Sequence, residues 1–324
     1  MQITRELQLL SEPRAGTVAA IGNFDGVHLA HQKLLRSVVE SAQVIGATPT
    51  AITFEPHPAK ILAPERAPRL LTPLERKARL IEDLGIELLI VLPFTQELAH
   101  VSPLDFVRRI LVEKLRVRSL HVGPDFHFGY QRTGNVTMLG KLARQEGFGL
   151  EILPALEIRK ERVSSRRIRQ LLDEGRVQMA CRLLGRPHSN QGSVVRGSGI
   201  GRERTVPTLN LSSVEEQLPR IGVYVTRTRL TEGMHDSVTN VGHKPTFGPH
   251  RLTVESYLLN FAGQATESAM EVEFLYRLRD EMKFPDAVAL KAQIQKDVRR
   301  ALKFVRLLRL LQRRPAQRAT PAKT

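Results

Sequence analysis

The sequence has a single cysteine, no tryptophan and few aromatic residues of any kind, 5% of its 324 residues. The one thiol, Cys181, cannot form an internal disulfide or build a cysteine-rich zinc site. A disulfide-stabilised domain and a cysteine-based zinc domain are therefore both excluded. The chain also lacks an apolar run of about 18 residues, and its first residues, MQITRELQLLSEPR, contain no hydrophobic signal segment. We therefore expect a cytoplasmic protein that neither spans nor crosses a membrane.

Charge is the compositional feature that departs most from an average protein. The formal net charge is +16, and from Lys291 onward 11 basic residues face one acid, Asp297, which gives that segment a net charge of +10. Clustered Lys and Arg can mark a nucleic-acid binder, but the sequence contains no helix-turn-helix, zinc-finger or aromatic ribonucleoprotein motif. We therefore do not expect nucleic acid as the main partner, since a polyanionic nucleotide substrate explains the positive bias equally well.

The segment from Thr17 to His31 reads as a strand, a tight turn and the start of a helix. His28 and His31 stand three residues apart, which places both imidazoles on one face of the first helical turn. Free backbone N–H groups and the positive end of the helix dipole favour an anion there. The turn also lies at the carboxyl end of a strand, where open α/β sheets bind ligands. These features predict a phosphate-binding site, whose turn consists of Gly22, Asn23, Phe24, Asp25 and Gly26.

Strands and helices alternate as far as about Leu184, which predicts a parallel sheet with helices on both faces. One predicted helix start has Thr72 as the N-cap and Pro73 as the first helical residue. Beyond Leu184, short β-type runs separated by turns predict a small antiparallel barrel. A long amphipathic helix follows from Asp286.

Three further segments contain residue types that bind phosphate or metal. Ser164 and Ser165 open a helix that continues through Arg169, so hydroxyls, N–H groups and a guanidinium converge there, although a plain N-cap with solvated arginines fits the same residues. A second segment holds three glycines, which is typical of a phosphate-binding turn and equally of a flexible loop. Thr208 and Asn210 share one side of an extended segment and offer neutral oxygen ligands to Mg²⁺. The glycine-rich segment contains Gly197, Gly199, Gly201 and Arg202.

These motifs resemble, in order, those of the bacterial bifunctional riboflavin kinase/FAD synthetases. Residues 22–31 resemble that family's G-x-F-D-G-x-H-x-G-H signature, with Ala30 in place of its usual glycine. Residues 123–135 resemble its G-x-D-F-x-F-G loop, and residues 163–169 resemble its I-S-S-x-x-I-R motif. In the second half, residues 197–210 resemble G-x-x-x-G-R-x-L-G-F-P-T-A-N, and residues 240–247 match N-x-G-x-x-P-T-F. The resemblance covers about Gly16 to Leu311.

The resemblance implies an N-terminal Rossmann-like nucleotidylyltransferase domain at residues 1–182 and a six-stranded antiparallel barrel with a long C-terminal helix at residues 183–312. We expect residues 313–324 to be a disordered basic tail. The resemblance further implies that the barrel phosphorylates riboflavin with ATP and Mg²⁺, and that the first domain adenylylates FMN to FAD with release of pyrophosphate. No Gly-x4-Gly-Lys-Ser/Thr string is present, so a P-loop kinase is excluded.

Functional residues are assigned by the same resemblance. His28, His31 and Glu255 are the expected catalytic residues, and Thr208 and Asn210 are the expected metal ligands. The nucleotide-binding residues are the turn residues from Gly22 to Gly26, the three glycines with Arg202, and Ser164, Ser165 and Arg169. The expected flavin-binding residues are Pro56, His57, Pro58, Asp125, Phe126, Phe128, Arg279, Glu281 and Phe284.

Two alternatives remain open. Arg204 and Thr205 replace the usual leucine and glycine of the kinase loop, so the barrel could bind flavin without phosphorylating it. A related adenylyltransferase with another substrate would share the histidine pair, but it would need no barrel. Because the family resemblance includes the barrel, riboflavin, FMN and ATP are the expected partners.

Overall fold

The computed structural model describes residues 1–5, 15–196, 208–211, 215–243, 252–259, 261 and 269–312. The sites predicted at Gly197, Gly199, Gly201 and Arg202, the substituted loop positions Arg204 and Thr205, and the tail at residues 313–324 lie outside these ranges. The chain divides into two compact units. Unit 1 comprises Met1–Ile168 and Leu183–Gly185, and unit 2 comprises Arg169–Arg182 and Arg186–Thr324. The predicted boundary between residues 182 and 183 stays a prediction.

Unit 1 is built on a six-stranded sheet of order β1-β4-β3-β2-β5-β8, in which every pairing is parallel. Two short antiparallel hairpins, β6-β7 and β9-β10, accompany it. The strands are β1 (Gln2–Thr4), β2 (Thr17–Ile21), β3 (Thr48–Glu55), β4 (Leu88–Pro93), β5 (Val117–Val122), β6 (His127–Phe128), β7 (Gly134–Asn135), β8 (Gly149–Ile152), β9 (Glu157–Ile158) and β10 (Glu161–Arg162).

Helices cover both faces of this sheet. In β2, Ala19 packs in one core cluster with Phe106 and Leu139, while Val18 packs in the other with Leu35. This alternation explains why β2 is buried along its whole length, as parallel strands between two helical layers are. The helices are α1 (Leu29–Ile45), α2 (Pro58–Leu62), α3 (Leu74–Glu82), α4 (Gln96–Ala99), α5 (Pro103–Asp105), which continues as a π-helical segment (Phe106–Lys114), and α6 (Val136–Glu146), with short 3-10 turns at Pro64–Arg66 and Tyr130–Arg132.

Unit 2 is a closed antiparallel barrel of order β11-β12-β15-β14-β13-β16. The fold class predicted from sequence is confirmed in both units. The strands are β11 (His188–Arg196), β12 (Leu209–Leu211), β13 (Gly222–Leu230), β14 (Gly233–His243), β15 (Leu252–Leu258) and β16 (Ala269–Arg279). The helices are α7 (Ser165–Asp173), α8 (Val177–Leu184) and α9 (Ala287–Gln312), of which α7 begins with residues of unit 1.

Side chains alternate between the inside and the outside of the barrel. Val223 and Val225 of β13 pack outward against Ala301 of α9. Thr226, the residue after Val225 in the same strand, points inward and is fully buried. Its hydroxyl lies 2.7 Å from that of Ser237, and further buried hydroxyls continue the network at 2.6–2.8 Å, so these hydroxyls satisfy one another by hydrogen bonds.

Residues Arg169–Arg182 make contacts inside unit 2 that a fragment beginning at Leu183 would lose. The N–H of Arg220 donates to the carbonyl of Leu172 at 2.9 Å, and the Gln217 amide donates to Asp173 at 2.8 Å. Each such bond contributes about 1 kcal/mol. We expect fragment 183–312 to fold but to melt about 5 °C or more below fragment 164–312. Equal melting temperatures by circular dichroism would show that these contacts do not stabilise the barrel.

Among the helices that the structure describes, none combines the length and the apolar character needed to cross a bilayer.

Candidate functional site

Hydrogen bonds with residues of β3 and α3 hold the backbone of the turn after β2 in place. The N–H of Gly22 donates to the carbonyl of Ile52 at 3.0 Å. The carbonyl of Asn23 accepts from the Thr53 hydroxyl at 3.2 Å and from the Lys77 ammonium at 3.0 Å. Three neighbouring groups thus hold the first half of the predicted phosphate-binding turn in one conformation.

The second half of the turn is held by side chains that face the protein interior. Asp25 is 2% exposed, and its carboxylate accepts from the N–H of Leu71 at 2.9 Å and from that of Thr72 at 3.2 Å. The backbone carbonyl of Asp25 accepts a hydrogen bond from the Ser165 hydroxyl at 2.8 Å. Phe24 is fully buried in the core. The side chains of Asp25 and Phe24, two of the predicted nucleotide-binding residues, therefore face the protein interior and hold the turn in place.

Thr72 is not the helix cap that the sequence pattern predicts. Helix α3 starts at Leu74 with Pro73 as its N-cap, and no side chain caps it. The N–H of Thr72 donates to the carboxylate of Asp25 at 3.2 Å, which joins the residue before α3 to the turn after β2.

The two histidines lie together at the start of α1. His28 is the N-cap, and its Nδ1 accepts from the N–H of His31 at 3.3 Å, so the neutral ring carries its proton on Nε2. The two rings stack with centroids 3.5 Å apart, and the edge of His31 meets Phe24 at 5.3 Å. The pair predicted from sequence is therefore one unit, located at the helix terminus where an anion is most favoured.

Burial, together with the neighbouring His28 and Lys77, holds the pKa of His31 well below its ordinary value. At neutral pH the ring is therefore uncharged, and it can act as a neutral hydrogen-bond donor.

This depressed pKa predicts a pH-dependent stability. Between about pH 6.5 and the lower folded pKa, the unfolded chain binds a proton on residue 31 that the folded chain does not, so the free energy of unfolding falls as the pH falls through that window. His31→Gln has no titratable ring and should show a flatter dependence in urea unfolding between pH 8 and pH 5. Identical slopes for the two proteins would contradict a buried, neutral His31.

The other predicted site residues of unit 1 differ in their exposure and in the contacts they make. His57 caps α2, which starts at Pro58, and its Nε2 lies 3.3 Å from the side-chain amide nitrogen of Asn23, so His57 borders the turn and Pro56 and Pro58 flank it in the chain. Asp125 is largely exposed and forms an ion pair with Arg162.

Two of the predicted flavin-binding residues are aromatic side chains stacked on one another. The rings of Phe126 and Phe128 lie 5.5 Å apart. Phe128 is 7% exposed and packs in the core with Phe106. Phe126 is only partly buried, so its ring is the more accessible of the two. Phe126, and not Phe128, is therefore the candidate for contact with a flavin.

The start of α7 has the capping geometry that its two serines predict. The Ser164 hydroxyl accepts from the N–H of Arg167 at 3.2 Å. Arg167 forms two hydrogen bonds to Glu161, at 2.7 and 2.9 Å, and Arg166 is exposed. Arg169 follows in the same helix. Ser165 is also bound to the turn through Asp25, so in unit 1 the helix start and the histidine-bearing segment are directly connected.

In unit 2, the expected base and one expected metal ligand lie side by side. The strand register places Asn210 of β12 opposite Glu255 of β15, and Glu255 opposite Asn240 of β14. Val254 and Ser256 flank Glu255 and are fully buried, so Glu255 points to the outer face of the barrel. Thr208 immediately precedes β12 and is exposed.

Magnesium chemistry is compatible with this donor set. Within the described ranges, no three His, Cys, Asp or Glu side chains form a metal-binding group. The hydroxyl of Thr208 and the amide oxygen of Asn210 are neutral ligands, which suit Mg²⁺ when phosphates supply the remaining ligands and the negative charge.

The predicted flavin segment at the end of β16 lies beside this face. A methyl group on Gly242 would overlap the carboxylate of Glu281 and would lie 3.0 Å from the Asn240 amide nitrogen, so Glu281 lies directly over Gly242. Arg279 forms an ion pair with the buried Asp297 of α9 at 2.8 Å, and its guanidinium lies 5.9 Å from the Phe284 ring. Arg279 is therefore fixed by α9 and lies near Phe284, while Glu281 borders the outer face at Gly242.

Sequence reasoning misses one functional candidate, Lys77. It lies on the apolar face of α3, three residues after Leu74 and four before Ile81, and only 5% of it is exposed. A charged residue at a helical core position was the signal that could have found it.

Comparisons with known proteins agree with this division of sites. The family model described as FAD synthetase matches residues 10–167, and the family model described as riboflavin kinase matches residues 184–305. A bifunctional riboflavin kinase/FMN adenylyltransferase of Pseudomonas fluorescens is 37% identical over 92% of this chain and 96% of its own length. Its counterpart in Bacillus subtilis strain 168 is 34% identical over 95% of this chain and 99% of its own.

The fold has a close relative among solved structures. A crystal structure described as a macrolide-efflux protein from Streptococcus pneumoniae is 26% identical, covers 92% of this chain and 97% of that one, and has a TM-score of 0.83. The two family models between them span most of the sequence, and the curated relatives match nearly end to end. The chain therefore belongs to the bifunctional riboflavin kinase/FMN adenylyltransferase family.

Proposed function

We propose that unit 1 transfers AMP from ATP to FMN at the stacked pair His28 and His31. An oxygen of the FMN phosphate attacks the α-phosphorus of ATP, the bond to the bridging oxygen breaks, and pyrophosphate leaves. No enzyme nucleophile is needed for this step. The observation that supports the assignment is the position of both rings at the N-terminus of α1, where N–H donors can stabilise the charge that grows on the α-phosphoryl oxygens.

The remaining predicted residues of unit 1 have supporting roles in this proposal. Ser164 and Ser165 bind the departing pyrophosphate, since hydroxyls are suitable donors to phosphate oxygens. Arg169, which the resemblance assigns to the same role, belongs to unit 2. The segment from Pro56 to Pro58, together with Asp125 and Phe126, borders the flavin.

We propose that unit 2 phosphorylates riboflavin, with Glu255 as the general base. The 5′-hydroxyl of riboflavin attacks the γ-phosphorus of ATP, its proton passes to the Glu255 carboxylate, and ADP leaves. Glu255 is suited to this role because the outer face places it between two amide side chains, Asn210 and Asn240, and a positioned carboxylate contributes through proton acceptance.

Mg²⁺ would be held by Thr208 and Asn210 in this proposal. When bound, the ion neutralises charge on the ATP phosphates. Asn210 is 7% exposed and its place in β12 is fixed by pairing on both sides, to β11 and β15, so the protein presents one ligand of defined position. Riboflavin, FMN and ATP are the proposed small-molecule partners, and the cytoplasm is the proposed location.

One incubation tests both halves of the proposal. The pure protein is mixed with riboflavin, ATP and Mg²⁺, and the flavins are separated by chromatography over time. We expect FMN to appear first and FAD to follow, with both absent when EDTA is added. Formation of FAD from added FMN without formation of FMN from riboflavin would mean that the barrel binds flavin but is not a kinase.

A further inference from the structure

Lys77 is a buried cation whose contacts all lie around the histidine-bearing turn. Its ammonium donates to the carbonyl of Asn23 at 3.0 Å and to the hydroxyl of Thr53 at 3.3 Å. The same hydroxyl donates to the same carbonyl at 3.2 Å. The three groups form a closed triangle that fixes the peptide between Asn23 and Phe24, and the lysine supplies its only formal charge.

Burying an ammonium is costly, so the site must compensate for it. Burial lowers the pKa of Lys77, while the nearby carboxylates of Asp25 and Glu55 oppose that change. Of these, Asp25 is the residue whose carboxylate binds Leu71 and Thr72. If this position required only an apolar contact, leucine or methionine would fill it without the free-energy cost of burying a charge.

The charge of Lys77 also acts on the catalytic pair. The groups that depress the pKa of His31, besides burial, are His28 on the same helix and Lys77 on α3. Protonation of His31 would give that helix turn a positive charge close to the buried ammonium. Lys77 therefore favours the neutral ring, which leaves the charge of an incoming phosphate to be balanced by N–H donors and by the helix terminus.

We propose that Lys77 is a positioning residue for adenylyl transfer, which holds the turn at Asn23 in its reactive conformation. Lys77 is only 5% exposed, and two of its three ammonium N–H donors already bind protein oxygens, so it acts through the turn and not by contact with substrate. This inference rests on the proposed adenylyl transfer at His28 and His31.

The test replaces Lys77 with methionine, which has similar length and volume but neither charge nor N–H donors. Lys141→Met is the matched control, since Lys141 is an exposed lysine on α6 of the same unit. We expect Lys77→Met to lower kcat for FAD formation about 10-fold or more, as small displacements of catalytic groups do. KM for ATP should change less, and FMN formation and the control should match wild type.

A purely structural lysine would give a different result in a second measurement. In an NMR titration of the His31 ring, Lys77→Met should raise the pKa relative to wild type, and the acid limb of the kcat profile should move to higher pH with it. A kcat equal to that of wild type would overturn the inference, even if the melting temperature fell.

Two further outcomes are distinguishable. If Lys77→Met does not fold, Lys77→Gln, which is shorter and lacks the charge, is expected to lower kcat for FAD formation with little change in KM for ATP, and a kcat equal to wild type there would overturn the inference. If the wild type forms no FAD, the proposed function fails, but the backbone NMR resonances of residues 22–24 in Lys77→Met still decide whether Lys77 holds the turn, since unchanged resonances would overturn the inference.

Discussion

Replacing Glu255 with glutamine is expected to lower kcat for FMN formation by about 10² to 10⁴-fold while riboflavin binding persists. Glutamine has nearly the same shape, so the packing of β15 between β12 and β14 should survive. An amide, however, cannot accept the proton of the attacking hydroxyl. The measurement is steady-state conversion of riboflavin with saturating ATP and Mg²⁺, together with a flavin-binding titration.

The barrel provides a matched control for this substitution. Glu273 on β16 is another partly buried glutamate, and it pairs with Arg227 and Ser189 on neighbouring strands. Its strand is not adjacent to β15 in the barrel order. Glu273→Gln should therefore leave kcat close to wild type. A loss of equal size in both variants would mean that the barrel responds to any lost carboxylate and that Glu255 is not the base.

Replacing His28 or His31 with alanine is expected to lower FAD formation from FMN by about 10²-fold or more, as loss of a transition-state donor does. The two effects should not add in the double variant, because the rings stack and one positions the other: His28 Nδ1 accepts from the N–H of His31. The measurement is the rate of pyrophosphate release with FMN and ATP.

FMN formation serves as the internal control for the histidine variants. Its rate should be unchanged, since the proposed kinase residues belong to unit 2. His31→Gln, which retains an N–H donor, should lose less activity than His31→Ala. Parallel loss of both activities in a folded variant would contradict the assignment of separate sites.

Some of the site follows from the sequence because its geometry is local. A spacing of three residues across a helix start brings His28, the N-cap, next to His31 in the first turn, and alternation in a strand separates Glu255 from its buried neighbours Val254 and Ser256. The order of strands and helices likewise predicts the parallel sheet and the antiparallel barrel, since each period is a property of neighbouring residues. The family resemblance then assigns functions to positions whose local structure is already determined.

Other features depend on residues that are far apart in the sequence. Asp25 meets Leu71 across 46 positions, and Ser165 meets Asp25 across 140, so no local pattern reveals that the carboxylate faces inward. The same holds for Phe128, which packs in the core although its motif suggests a ligand surface.

The sequence by itself determined the two fold classes, the stacked histidine pair and the place of Glu255 on its strand. Only the tertiary structure decided which motif residues face the core, and that Lys77, on an otherwise apolar helix face, holds the carbonyl of Asn23. The physical reason is that backbone periodicity is local, whereas the partner of a buried polar group is chosen by the chain segments that fold around it.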